Sequence, residues 1–526
     1  MKTLFYGGTI LTMADPLYAE ALLVEDDKIL AIGSKEELLQ QAPDCEQKDL
    51  NGAVMMPGFV DPHSHFIQVA NSLLQVSLNG ADNPEEMQAR FAAFIQENQV
   101  EPGAWLQACD YDNNLLPEQK NITLKQMDAM APNNPVIVHH KSGHMGLLNT
   151  LALNKLGYTP ETKAPAGGRI EVKDGKLTGY MEENAFIEAI KRVPLPEPAM
   201  MLNAMKRAQQ KYASYGITTV QEGMVIRELI PMYQMLSQSG TMKLDILLYV
   251  APDSYEDVKK VLSAPDIDPH IHVGGIKVLL DGSPQGRTAW MRQPYEGEAE
   301  YAGYGTMTDE ALENAFLLAG KHNTQLLGHC NGDAAAEQYL RCLEKAEEKE
   351  PQLANLRPVI IHGQLMGRDQ LPRAAKLGAM VSFFVAHVYH WGDVHLRNFG
   401  AERANHISAA KSALEAGVKF TFHQDAPVIE PDMLETVWCA VNRETRNGVT
   451  LGKEDEGIST LEALKAITVN GAYQYFWENR IGTLEPGKKA DMVILDRDPL
   501  KTADADLREV QVLHTYKEGS CVYDRA

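Results

Sequence analysis

The chain has 526 residues and a formal net charge of −22 from 49 basic and 71 acidic side chains, with 44% hydrophobic and 23% charged residues. This is ordinary globular composition with material for a large core, which excludes disordered and fibrous classes. An acidic surface of this size repels phosphate backbones and anionic lipid, so neither nucleic acid nor a membrane surface is expected as a partner.

The opening MKTLFYGGTI carries polar and glycine residues where a signal peptide has its apolar stretch. No apolar run approaches the ~18 residues of a membrane span. The six cysteines (45, 109, 330, 342, 439, 521) lack CxxC spacing. A cytoplasmic protein with reduced thiols is the expectation.

Short apolar runs and turn signals alternate through the first fifty residues: Leu4-Phe5-Tyr6, Ile10-Leu11, Ala21 to Val24, and Lys28 to Gly33 after the turn at Asp26-Asp27. This spacing predicts a small β-sheet. Ser34-Lys35-Glu36-Glu37 is a capping box that predicts a short helix from Ser34 to about Gln41. Runs at 490–495 and 510–516 match the first set of strands, so segments 1–53 and 481–526 are expected to complete one β-sandwich.

Between them, apolar runs alternate with helix-length amphipathic stretches, the pattern of βα units around a parallel sheet. The runs lie at 54–60, 136–140, 217–222, 244–250, 274–280, 325–330, 359–363, 379–384 and 418–423. That is one more than a (β/α)8 barrel needs. The long interval from about 80 to 200 ends in Val193-Pro-Leu-Pro-Glu-Pro, a linker signature, so the 136–140 run is assigned to an insertion after the first strand. The expected fold is α/β: a TIM-like barrel over 54–480 with that insertion, and a composite N- and C-terminal β-sandwich. A capping box from Ser459 to Glu462 predicts a helix after the last barrel strand.

Reactive groups in such a barrel lie at the C-terminal ends of its strands. The first strand ends in PGFVDPHSH, and the period of two places His63 and His65 on one side of the pleat. Neutral imidazole suits zinc and similar ions. His329 ends the fifth strand, His362 the sixth, and His423-Gln424-Asp425 the eighth. A single histidine at such a point is ordinarily a satisfied cap. Ionisable groups ending four strands of one barrel converge on one mouth and can supply a metal cage.

These residues resemble the metal-binding pattern of the amidohydrolase superfamily. GTLEPGKKADMVILDRDP (482–499) is similar to the superfamily's closing sandwich strand. IKVLLDGSPQGRTA (276–289), SGHMGLLNTLAL (142–153) and FFVAHVYHWGDVHLRNFG (383–400) resemble its YtcJ-like branch, which includes the N-substituted formamide deformylases. The resemblance implies a (β/α)8 barrel with a composite sandwich, a divalent metal centre of one or two ions, expected to be zinc, and hydrolysis of a non-peptide C–N bond by metal-activated hydroxide. Carried over residue by residue, it makes His63, His65, His329, His362 and Asp425 metal ligands, with Asp425 also the catalytic proton carrier. It makes Lys277, on the fourth strand, a carboxylated lysine bridging two ions. The bland alternative is that Lys277 pairs with a carboxylate. His423 departs from the pattern, because many relatives carry a smaller residue there; it lies on the same side of the strand as Asp425.

Weaker candidates surround this set. Arg287, in a turn-rich loop after the fourth strand, can bind a substrate carboxylate or form a surface ion pair. His387, His390 and His395, with Tyr389 and Trp391, are read as a loop after the seventh strand that either walls the substrate or fixes itself. His144 is expected to contact substrate from a helix opening at Ser142, while His139 and His140 are expected to be structural. Tyr295 to Tyr304 reads as a solvated loop. The leading reading is hydrolysis of an amide, N-acyl or N-formyl bond of a small molecule. The alternatives are a cyclic amide, amidine or ester on the same site, or a catalytically silent binding barrel. A homo-oligomer is compatible with any of them.

Overall fold

The computed structural model describes residues 1–116, 120–140, 145–165, 167–194 and 196–525. The chain divides into two compact units: Met1–Val69 together with Met205–Ala526, and Ala70–Ala204.

The first unit holds an eight-stranded parallel sheet whose strands follow one another in sequence order, a (β/α)8 barrel. Its strands are β1 (Phe59–Val60), β2 (Ile217–Val225), β3 (Asp245–Val250), β4 (Ile271–Leu279), β5 (Gln325–Cys330), β6 (Val359–His362), β7 (Met380–Phe383) and β8 (Phe420–Phe422). Past the ends of β1 and β8, the His65 N–H donates to the Ala426 carbonyl at 2.9 Å and ties the two segments together. Alternate residues fill the interior: Val60, Leu247, Tyr249, Leu327, Val359, Ile361 and Met380 form one buried cluster with Ala472, Tyr475 and Ile481.

Two further sheets of this unit make the sandwich. One orders Lys28–Gly33, Ala21–Glu25, Lys2–Tyr6 and Glu46–Asp49; the other orders Ser520–Asp524, Val512–Lys517, Met492–Leu495, Val54–Pro57, Thr9–Leu11 and Tyr18–Ala19. Phe5, Leu22 and Ile29 from the N-terminal segment share one core with Met492, Ile494 and Tyr516 from the C-terminal segment. Helix Lys35–Gln41 is capped by Ser34 with both bonds of the capping box, and helix Thr460–Ala466 by Ser459. The apolar run 54–60 is not one strand. Val54–Pro57 pairs with Met492–Leu495 in the sandwich, and only Phe59–Val60 enters the barrel. Gly58 makes the switch, where a Cβ would meet the Thr218 side chain at 2.5 Å.

The second unit is built on a six-stranded sheet in the order Gly168–Lys173, Lys176–Glu183, Met145–Leu148, Val136–His140, Leu106–Tyr111, Gln75–Ser77. The 136–140 run is therefore a strand of this sheet. The helix expected to open at Ser142 is absent from the described residues that follow: Met145–Leu148 is a strand, and the next helix, Thr150–Leu156, starts from the Asn149 cap. Asn149 Oδ1 takes the Ala152 N–H at 2.9 Å, the bond that sets the later start. His144 lies outside the described residues. Among the described residues no helix is long and apolar enough to cross a membrane.

Candidate metal centre

His63 and His65 leave β1 on the same side and meet Asp425, three residues past β8. His63 Nε2 lies 3.4 Å and His65 Nε2 3.2 Å from the same oxygen, Asp425 Oδ1, while His362 Nε2 lies 3.9 Å from Oδ2. Donor atoms of His63, His65 and Asp425 all fall within 4.8 Å of one another. The His329 ring stands edge-on to His362 with centroids 4.6 Å apart, which brings the β5 histidine to the same cluster. His362 and Asp425 both hold positive φ, 72° and 54°, an uncommon backbone state for non-glycine residues that here aims two proposed ligands inward.

In His63 and His329 the inward nitrogen is lone-pair bearing because the outward one is engaged. His63 Nδ1 sits 2.7 Å from Gln221 Oε1, an acceptor, so Nδ1 carries the proton and Nε2 faces Asp425 bare. His329 Nδ1 is held the same way by Asp281 Oδ1 at 3.1 Å. Burial, with the Lys277 charge, pushes the pKa of His63 well below the usual imidazole value, and burial above all does the same to His362. For His65 burial also opposes charge, but Asp425 and Glu222 outweigh it and raise the value. Burial likewise opposes charge on Asp425, yet the surrounding imidazoles hold its pKa well below the usual carboxylate range.

Lys277, on β4, is buried, and burial pushes its pKa down to about 7 against the pull of Asp425. Its Nζ and Asp425 Oδ1 are both buried without a hydrogen-bond partner. An orphaned carboxylate oxygen facing a bare imidazole nitrogen is lone pair against lone pair, which costs energy unless a cation lies between them. The donor set of imidazoles and one carboxylate suits a divalent ion such as zinc. The residues fit a metal.

The other candidates fall into place around this cluster. His423 is fully buried between Ser382 Oγ (2.8 Å from Nδ1) and His362 Nδ1 (3.1 Å from Nε2), so it backs His362. Arg287 reaches Glu298 at 3.2 Å, donates to the Glu296 carbonyl at 3.0 Å, and lies over the Tyr295 ring. The expected loop after β7 is instead helical over His387–Ala404, with a break at Gly400 (φ 72°, ψ 169°). Its histidines, tryptophan and glycines read as a loop, but His387, Gly392, His395 and Phe399 are buried at helical spacing. His395 stacks on His387 and bonds to it at 3.0 Å; His390 bonds Glu435 at 2.7 Å and Arg446 at 2.8 Å. Trp391 packs on His387, and Phe384 links this group to His423 with centroids 5.4 Å apart. In the second unit His139 bonds Gln107 at 3.1 Å.

Three buried residues that sequence reasoning passed over lie against the candidate ligands. Gln221 and Glu222 sit on β2, where they read as strand positions with no strand-end signal. Glu222 takes the Ile67 N–H at 2.7 Å and the Tyr233 hydroxyl at 2.9 Å, and its other oxygen lies 3.9 Å from His65 Nδ1. Asp281 follows β4 in a Gly-Ser turn; the one available signal was an acidic residue just past a barrel strand.

Residues 47–523 match the amidohydrolase family Amidohydro_3. The chain is 28% identical to the putative amidohydrolase YtcJ of Bacillus subtilis, with all of both chains covered. It is 27% identical to the N-substituted formamide deformylase of Arthrobacter pascens, covering 96% of this chain and 95% of the deformylase. The crystal structure of an uncharacterized metal-dependent hydrolase from Pyrococcus furiosus superposes with a TM-score of 0.77 at 24% identity, over 95% of this chain and 100% of that one.

Proposed function

The chain belongs to the amidohydrolase family, and from that premise we propose that it is a metal-dependent hydrolase that cleaves a non-peptide C–N bond, of amide, N-acyl or N-formyl type, in a small molecule. The observation that carries the proposal is the approach of imidazole nitrogens from His63 and His65 to one oxygen of Asp425, with the His63 nitrogen bare of its proton. His63, His65, His329, His362 and Asp425 are the residues that would hold the ion, which we assign as zinc from its preference for imidazole with carboxylate. When bound, such an ion lowers the pKa of a water toward ~7 and polarises a carbonyl oxygen.

Asp425 is ionised at neutral pH and accepts the proton of the attacking water. The imidazoles that keep it ionised also make it a weak base, so it takes the proton only from a water already acidified. It then returns the proton to the departing nitrogen, which leaves as a neutral amine rather than as an anion. Lys277 would help hold a second ion if its neutral amine added to carbon dioxide: Nζ would bond the carbon, one proton would be released, and a carbamate would replace a group that repels cations. Phe384, His387 and Trp391 pack edge to face into a largely aromatic wall for the substrate's substituent, suited to the N-substituted substrates that the deformylase relative's name describes.

The test is a panel of N-formyl and N-acyl amines assayed for amine release with zinc-loaded and chelator-treated protein. Release that depends on the metal supports the proposal. No release from any member, with cyclic amides or esters cleaved instead, overturns the assignment of the bond.

A further inference from the structure

Asp281 is buried and follows β4 by two residues, and N–H donors from three places converge on its two oxygens. Oδ1 lies 3.1 Å from His329 Nδ1 and takes the Asn331 N–H at 2.9 Å. Oδ2 takes the Gly332 N–H at 2.8 Å and the Trp290 N–H at 3.1 Å. Gly332 makes this convergence possible, because a Cβ there would come within 1.9 Å of the Trp290 carbonyl oxygen. A carboxylate offers only acceptors, so the imidazole nitrogen facing it must be the protonated one. A second contact points the same way. Asn331 Nδ2 is fixed as a donor by the Gly282 carbonyl at 2.9 Å and lies 3.3 Å from His329 Nε2, which calls for a lone pair on that nitrogen.

We propose that Asp281 is a positioning residue that locks His329 in the Nδ1–H tautomer and so presents Nε2 as the metal-binding nitrogen of β5. The inference rests on the reading of the centre given above. It explains why an acid rather than an amide stands here. An asparagine at 281 has one acceptor oxygen for two sets of donors. If that oxygen stays with the Gly332 and Trp290 amides, its NH2 faces His329 and selects the opposite tautomer, with the proton on Nε2 where the lone pair is needed. Carboxylate partners of this kind are worth about 10–100-fold in metal affinity.

The experiment uses the full chain, stripped of metal, and cobalt(II) as probe, with affinity read from the visible d–d absorption. Asp281→Asn is expected to bind cobalt about 10–100-fold more weakly than wild type while melting, metal-free, within a few degrees of it. The same substitution in a His329→Ala background is expected to cause no further loss. Affinity unchanged by Asp281→Asn, or lowered equally with and without His329, overturns the proposal. If Asp281→Asn fails to fold, the wild-type chain answers alone. A long-range proton–nitrogen spectrum of 15N-histidine-labelled, metal-free protein, with His329 assigned by its loss in His329→Gln, must show the Nδ1-protonated pattern. The Nε2-protonated pattern overturns the proposal. Because that spectrum needs no metal, a wild type that binds no cobalt would sink the hydrolase reading while leaving the tautomer assignment standing.

Discussion

His63 donates its Nδ1–H to Gln221 Oε1 over 2.7 Å, and Gln221 keeps that oxygen forward because its own NH2 donates to the Pro62 carbonyl and to Tyr475 Oη. His63 is thus oriented by a residue of the neighbouring strand β2. Gln221→Leu should leave the fold intact but weaken zinc binding about 10–100-fold, measured by competition with a fluorescent chelator. A change of less than about twofold contradicts the role given to this bond.

Asp425 holds φ 54°, a conformation that asparagine also tolerates. Asp425→Asn should therefore keep the far-UV circular dichroism spectrum and melting temperature of wild type. Its kcat should fall about 10²–10⁴-fold, the range for loss of a general acid–base group. Turnover within about tenfold of wild type counts against Asp425 as the proton carrier.

Lys277 has its pKa pushed down to about 7 by burial. A lowered lysine value means the amine is protonated and inert below about pH 7 and neutral above it. Zinc uptake by metal-free protein in added bicarbonate should therefore rise as pH is raised through about 7. Lys277→Ala should abolish the bicarbonate dependence. Uptake in wild type that ignores bicarbonate on both sides of that pH removes the carbamate from the account.

Away from the centre, Lys517 lies buried between Asp245 and Asp491, 2.6 Å from each, and joins the start of β3 to the sandwich strands. Burial opposes charge on Lys517, but the two carboxylates outweigh it and raise its pKa; that stability is present below the unfolded value of about 10.4 and is lost as pH climbs through the higher folded value. Asp245 shifts the other way: burial opposes its charge, yet Lys517 and its other cationic neighbours hold its pKa low. Its contribution is therefore present above about 3.9 and fades as pH falls through the lower folded value. Lys517→Met leaves buried Asp491 with no cationic partner and takes one of several from Asp245, and should cost about 3–5 kcal/mol in denaturant unfolding. A loss below about 1 kcal/mol would mean that this pair contributes no more than an exposed one.

Much of the barrel was legible because parallel strands buried on both faces leave uninterrupted apolar runs, and seven of these map directly onto β2 to β8. The eighth run misled at Gly58, where one stretch of apolar residues serves two sheets and only the backbone shows the break. His63, His65, His329 and His362 stood out because an ionisable group at a strand end interrupts an apolar pattern. Gln221, Asp281 and Lys517 did not, since each acts through a partner remote in sequence: His63 is 158 residues from Gln221 and Asp245 is 272 from Lys517. The helix His387–Ala404 was hidden for a different reason. Its buried face is mostly histidine, valine, glycine and phenylalanine, residues that carry little helical signal on their own.

The central claim is that side chains from β1, β5, β6 and the end of β8 enclose one divalent cation site, and the most direct test is elemental analysis of chain purified without chelator. The account predicts about one or two equivalents of zinc or a similar divalent ion in wild type, and almost none in a folded His63→Ala, Asp425→Ala double variant. Wild-type protein that carries no metal and shows no saturable zinc uptake on titration would contradict it.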